Sequence, residues 1–169
     1  MKFAPHIKTT LLLLGCIPFF SLCNNGPRIL PLPEYMVVSQ PDSSEVLLRD
    51  FVHTQTLTAL FYVDGDCSAC LLELNRWKRF FAEHSLLSPL LVVKTQHPLI
   101  IPIFLEINGL SFPTLYDYDL TIWIQNCLGA ETTLIVLNRD AEVLYTGKSE
   151  RGASFSRFYK KMKTQSIDN

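Results

Sequence analysis

Apolar and polar positions change period several times along this chain, and each change marks an element. Leu57 to Val63 is apolar nearly throughout and closes at Asp64-Gly65, which predicts a central β-strand covered on both faces. Leu71, Leu74, Trp77 and Phe81 then recur at helical spacing, widened by Leu72 and Phe80. Glu73, Arg76, Lys78 and Arg79 take the opposite side, predicting an amphipathic helix of about four turns. Leu90 to Lys94 reads as a short strand, and His97 to Ile107 as a helix whose start Pro102 makes irregular. Further on, Ser111 to Tyr116 is extended, Leu120 to Leu128 a short helix and Thr132 to Leu137 a strong strand. Asn138 to Ala141 turns that strand into Glu142 to Thr146 as a hairpin, and Phe155, Phe158, Tyr159 and Met162 mark a C-terminal helix. Upstream, Glu45 to Phe51 reads as a strand. Asn24 to Pro41, with Pro27, Pro31, Pro33 and Pro41, reads as a tether leading into a first edge strand. Strands alternating with helices in this way predict an α/β chain, a central mixed β-sheet flanked by helices on both faces, with no repeat and no second domain.

The N-terminus changes the picture of where this domain works. Lys2 and Lys8 precede the apolar stretch Thr9 to Leu22, and Asn24-Asn25-Gly26 follows, the layout of an export signal. The stretch is short for a membrane span of about twenty residues. A cysteine at its end suggests a lipoprotein-type signal over residues 1–22, with Cys23 acylated, residues 23–41 as the tether and 42–169 as the folded domain. Cys16 is the alternative: Leu13-Leu14-Gly15-Cys16 has the small residue that Leu22 fails to supply before Cys23, but it leaves a shorter apolar core. An unlipidated secretory signal is the remaining reading, and each sends the chain out of the cytoplasm. Loss of Lys2 and Lys8 leaves 13 basic residues against 16 acidic, a formal charge of -3, so a nucleic-acid footprint is absent. At 48% hydrophobic and 18% charged, the 169-residue chain has the composition of a domain with a buried core.

The candidate chemistry is Cys67-Ser68-Ala69-Cys70, set where the predicted central strand meets the amphipathic helix. Two thiols on the first turn of a helix can close a small disulfide, and the helix N-terminus stabilises a thiolate on the leading cysteine. Structural zinc would require two further ligands at compatible spacing, which Cys127, His53, His84 and His97 do not offer. Covalent haem would require histidine after the second cysteine, and Leu71 stands there. The context favours a redox-active thiol pair, with no metal.

The layout and the stretch Phe61 to Cys70 resemble the thioredoxin-like superfamily, from roughly Val46 to the C-terminus. Phe112 to Asp117 looks like the extra extended segment of the TlpA and peroxiredoxin-like branch, and Thr132 to Gly147 like that branch's final hairpin. Small lipid-anchored thioredoxin-like proteins of the Gram-negative envelope are the nearest type. The resemblance implies that Cys67 is the exposed nucleophile and Cys70 the buried resolving thiol. It also implies protein thiols or disulfides as partners, no cofactor, and a membrane electron donor if the protein works as a reductase. With the lipid anchor, the expected location is the cell envelope, facing the periplasm.

Three departures bear on activity. Where the family places a cis-proline before the hairpin strand, this chain has Glu131, and a cis bond before a non-proline residue costs about 2.5–4 kcal/mol. The central strand carries Phe61 where thioredoxin keeps a buried carboxylate, and Asp66 precedes Cys67 where thioredoxin has tryptophan. Asp66 and Glu131, as candidate substrate-binding residues beside the thiol, would raise its pKa against the helix dipole. These departures sustain a second reading, a lipid-anchored binding or scaffold module with little redox turnover. Outside the site, Trp77, Trp123 and Ile124 read as core. Cys127 reads as a small buried hydrophobe, His53, His84 and His97 as surface or loop residues, and Lys160, Lys161 and Lys163 as a solvated helix face.

Overall fold

The computed structural model describes residues 28–125, 133–147 and 153–165. Among the described residues, seven strands form one sheet: β1 (Val37–Ser39), β2 (Glu45–Leu47), β3 (Leu57–Asp64), β4 (Ser88–Lys94), β5 (Thr114–Tyr116), β6 (Leu134–Asn138) and β7 (Val143–Gly147). Their order is β2-β1-β5-β4-β3-β6-β7. β3 pairs parallel with β4 and β4 with β5, while the other pairings are antiparallel, so the sheet is mixed.

The helices are α1 (Leu48–Thr54), α2 (Ser68–Leu72), α3 (Leu74–Glu83), α4 (Ile100–Ile107), α5 (Thr121–Gln125) and α6 (Ala153–Gln165). Because successive side chains of a strand point to opposite faces, β3 sends Leu57, Ala59, Phe61 and Val63 into one core and Leu60 into another. The first core is covered by Leu71, Leu74, Trp77, Phe80 and Phe81 of α2 and α3, Ile101 and Leu105 of α4, and Phe155 of α6. Leu48, Phe51 and Val52 of α1 and Ile122 of α5 close the second. Helices on both faces explain why β3, between β4 and β6, is apolar along its length.

Three sequence expectations are corrected. The predicted strand Glu45 to Phe51 stops at Leu47, and α1 begins at Leu48. Leu48, Phe51 and Val52 are buried at i, i+3 and i+4, a helical stripe that so short an apolar run does not separate from strand alternation. The predicted tether is part of the fold from Arg28 onward: Leu30, Met36 and Val38 are buried, and Ile29 bridges Glu142. Its prolines mark an extended segment laid on the sheet, a conformation that composition shares with a free linker. Ile124, read as core, is exposed while Ile122 is buried, because residues two apart lie on opposite sides of a helix; the side chain of Trp123 lies outside the described residues.

Pro102 breaks nothing in α4. It is the third helical residue, where backbone N–H groups lack an intrahelical acceptor in any case. The expected irregular start is present as two tight turns, Ile100 N–H to His97 O and Ile101 N–H to Pro98 O.

Candidate active site

β3 ends at the disulfide. Asp64 and Gly65 turn the chain out of the sheet, with Gly65 N–H bonded to Lys94 O and Cys67 N–H to Asp64 O. Gly65 is required by contact: a Cβ there would stand 2.8 Å from Val93 Cγ1 and 2.9 Å from Thr95 Cβ. The chain then enters α2 with Cys67 as its N-cap, in extended backbone, and Cys67 Sγ accepts the Cys70 N–H at 3.3 Å. Cys67 and Cys70 are joined as a disulfide, their Cα atoms 5.2 Å apart. When the bond is reduced, the N–H that faces Cys67 Sγ is a donor ready for a thiolate.

Both cysteines are half-buried, which departs from the exposed and buried pair implied by the resemblance. Cys70 leans on the first core, at whose centre Phe61 is fully buried. The Phe61 ring lies 4.9 Å from Trp77, 5.0 Å from Phe81 and 5.1 Å from Phe112. So the position that the resemblance matches to thioredoxin's buried carboxylate lies within an aromatic cluster. A carboxylate in that surrounding would lack a hydrogen-bond partner.

Asp66 is turned toward the end of β4. Its Oδ1 accepts the Thr95 hydroxyl at 2.7 Å, and its Oδ2 accepts Gln96 N–H at 3.0 Å. The Thr95 hydroxyl above all, and then the Gln96 amide, hold the Asp66 carboxyl below the usual aspartate range. A depressed folded-state pKa means that this tie is fully present above the ordinary aspartate pKa and is lost as pH falls through the lowered value. Asp66 therefore stays charged beside Cys67 at neutral pH. Thr95 is buried and also accepts His97 N–H at 2.9 Å, so one hydroxyl joins the residue before Cys67 to the chain that launches α4. Gly65, Asp66, Ser68, Leu71, Gln96, His97 and Ile100 line a cleft beside the thiol pair.

Sequence reasoning located Cys67, Cys70 and Asp66 but passed over Thr95, Gln96 and Ile100, which the sheet register brings to the site from some thirty residues away. The parallel pairing of Asp64 with Lys94 is the signal that places them. His97, read as a surface or loop residue, is exposed but lines the cleft. His84, read as a surface or loop residue, stands in the loop just after α3 and is half-buried, its ring 4.4 Å from Phe80 and 4.5 Å from Tyr159. Glu131, Cys127, Cys23 and Cys16 lie outside the described residues. Thr133, two residues after Glu131, accepts Tyr62 N–H at the end of the sheet that carries the disulfide. Among the described residues, no group of three or more His, Cys, Asp or Glu is placed to hold a metal ion, and no helix is long and apolar enough to cross a membrane.

A cysteine pair closing the first turn of a helix at the end of a central parallel strand, in a mixed sheet with helices on both faces, defines a thioredoxin-like fold. Solved structures share it. StoA from Bacillus subtilis is 17% identical, covering 77% of this chain and 99% of that one, with a TM-score of 0.54. The thioredoxin domain of a thiol-disulfide oxidoreductase from Bacteroides vulgatus is 13% identical over 83% and 98% of the two chains, with a TM-score of 0.56. A secreted Mycobacterium tuberculosis disulfide oxidoreductase is 13% identical over 74% and 94%, with a TM-score of 0.52. At these identities the likeness establishes the fold. No protein-family model and no curated protein matches the sequence.

Proposed function

We propose that the protein is a thiol-disulfide oxidoreductase that exchanges disulfides with protein thiols through Cys67 and Cys70. The observation that carries this reading is the closed Cys67–Cys70 disulfide at the N-terminus of α2, with a backbone N–H on the leading sulfur. Solved thioredoxin-like structures bearing that activity in their names support it. In the reducing direction, the Cys67 thiolate attacks a client disulfide, one client sulfur leaves as thiolate, and a mixed disulfide forms. Cys70 then loses its proton and attacks Cys67 Sγ; the second client thiol is released, and two electrons have passed from the dithiol to the client. The oxidising direction is the reverse. Asp66, ionised and adjacent in sequence to Cys67, opposes thiolate formation, which points away from a strongly oxidising pair. Glu131 we assign to the substrate side of the same site.

The test is to equilibrate the purified protein in dithiothreitol redox buffers and to follow alkylation of Cys67 against pH. Expected are a reversible two-electron potential within the range of known exchange proteins and, for Asp66→Asn, an alkylation profile displaced to lower pH. A Cys67 that neither reduces nor alkylates in the folded protein would leave the scaffold reading.

We further propose that the chain is held in the cell envelope by acylation at Cys23, facing the periplasm, with a membrane electron donor supplying the reductase direction. The export-type pattern of residues 1–22 supports this. Intact mass of membrane-extracted protein is expected to show acylated Cys23 as the first residue, and a mature chain starting elsewhere removes the assignment.

A further inference from the structure

α4 and the residue before it are built unlike a solvated helix. Between Pro98 and Ile107 the only charged residue is Glu106. Ile101 and Leu105 are buried in the first core, yet Leu99 is 80% exposed, Ile103 56% and Ile107 78%, with Ile100 at 49%. Single exposed apolar residues are ordinary. Here Ile100, Ile103 and Ile107 follow at i, i+3 and i+7, with Leu99 beside Ile103, so they form one continuous strip. The neighbouring helices of the same sheet face differ: α3 exposes Lys78 and Arg79, and α6 exposes Lys160 and Lys161.

The strip runs into the thiol site. Ile100 lines the cleft together with Asp66, Ser68 and Leu71. The start of α4 is also fixed to that site: Thr95 bonds Asp66 and His97 as described, and the Tyr116 hydroxyl donates to Pro98 O at 3.2 Å. An apolar segment held in place from both sides suits a surface that must meet a partner in register with Cys67.

We propose that the α4 strip is the docking surface for the polypeptide whose disulfide is exchanged at Cys67, and that it takes apolar side chains flanking the client cysteine. This rests on the exchange reading of Cys67 and Cys70. Two observations favour a client over a bilayer or a second copy. Arg28 O accepts Val143 N–H and Leu30 N–H donates to Ala141 O at the β6–β7 turn, which lies at the end of β6 paired with Leu57, the opposite pole from Cys67. Leu30 is buried in the second core whereas α4 packs on the first, so the chain enters the described fold at Arg28 on the sheet face opposite the strip. A second copy seated on the strip would cover the cleft at Ile100 and obstruct the cysteines that the exchange needs.

The test uses reduced full-length protein and symmetric disulfide-linked peptide pairs, one with Leu and Phe flanking its cysteine and one with Ser and Gly. The rate of peptide-thiol release is compared with dithiothreitol oxidation by the disulfide form. Expected is release from the apolar pair about tenfold faster than from the polar pair, the gain of burying roughly one apolar side chain. Ile103→Gln with Ile107→Gln, both at exposed positions, is expected to abolish that preference and leave the dithiothreitol reaction and thermal midpoint unchanged. Retention of the preference in the variant overturns the proposal. It is also overturned if the variant loses only self-association by sedimentation, or only binding to anionic lipid vesicles, with peptide preference intact. Failure of wild type to react with dithiothreitol is a separate result, which removes the exchange reading itself.

Discussion

Replacing Cys70 by alanine is expected to leave the protein covalently joined to its clients through Cys67. In the native pair the two Cα atoms are 5.2 Å apart, so the second thiol attacks the mixed disulfide from within the same helical turn. Intramolecular groups held near attack geometry reach effective molarities of about 10⁵ M or more in favourable cases. Even a small fraction of that outruns millimolar external thiol, so release from Cys70→Ala is expected to slow on the order of a thousandfold. The measurement is non-reducing electrophoresis and mass spectrometry of acid-quenched complexes, with adducts that vanish on reduction. Cys67→Ser should give none, because the sulfur that accepts the Cys70 N–H is gone. An absence of adducts from Cys70→Ala with a demonstrably free Cys67 thiol would remove protein clients from the mechanism.

Phe61→Ala is expected to be the most damaging single change away from the cysteines. The ring is fully buried between β3 and α3 and contacts Trp77, Phe81 and Phe112 at centroid distances of 4.9 to 5.1 Å. Truncating a buried phenylalanine costs about 3–5 kcal/mol. For a domain of this size that is a fall of about 10–20 °C in the thermal midpoint. Because Cys70 packs on the same cluster, the thiol site should loosen before the whole domain unfolds, seen as faster alkylation of the reduced pair. Phe61→Leu keeps most of the apolar volume and is expected to recover most of the loss. Denaturant melts of the two variants check this. A Phe61→Ala cost under about 1 kcal/mol, well below the range for buried aromatics, would mean that the cluster repacks and does not support the site.

The elements whose burial is uniform were legible from sequence. β3 and the α2–α3 stripe carry strong period and hydrophobicity, although the one helix that stripe predicts is divided at Glu73, and the thiol pair sits at their junction, so the centre of the fold and its candidate chemistry were readable together. Short elements were not. Leu48 to Thr54 is helical although its apolar positions also suit a strand, and the choice is made by α1 having a sheet face to cover. The proline-rich segment from Arg28 became part of the sheet because Leu30 and Val38 find partners there, which no composition reveals. Ile124 was misread for the reverse reason: α5 turns Ile122 into the second core, and Ile124, two residues on, faces the other way.

What the sequence determined by itself is therefore an α/β chain with two cysteines at a strand-to-helix junction, because period, turn residues and thiol spacing are local properties. Tertiary structure decided what surrounds those cysteines. It brought Thr95 and Gln96 onto Asp66 through the parallel register of β3 and β4, put an aromatic cluster under Cys70, and left the outer side of α4 apolar next to the cleft. These are contacts between residues far apart in the chain. They exist only once the sheet has closed, since burial and register are properties of the packed molecule and not of any window of sequence.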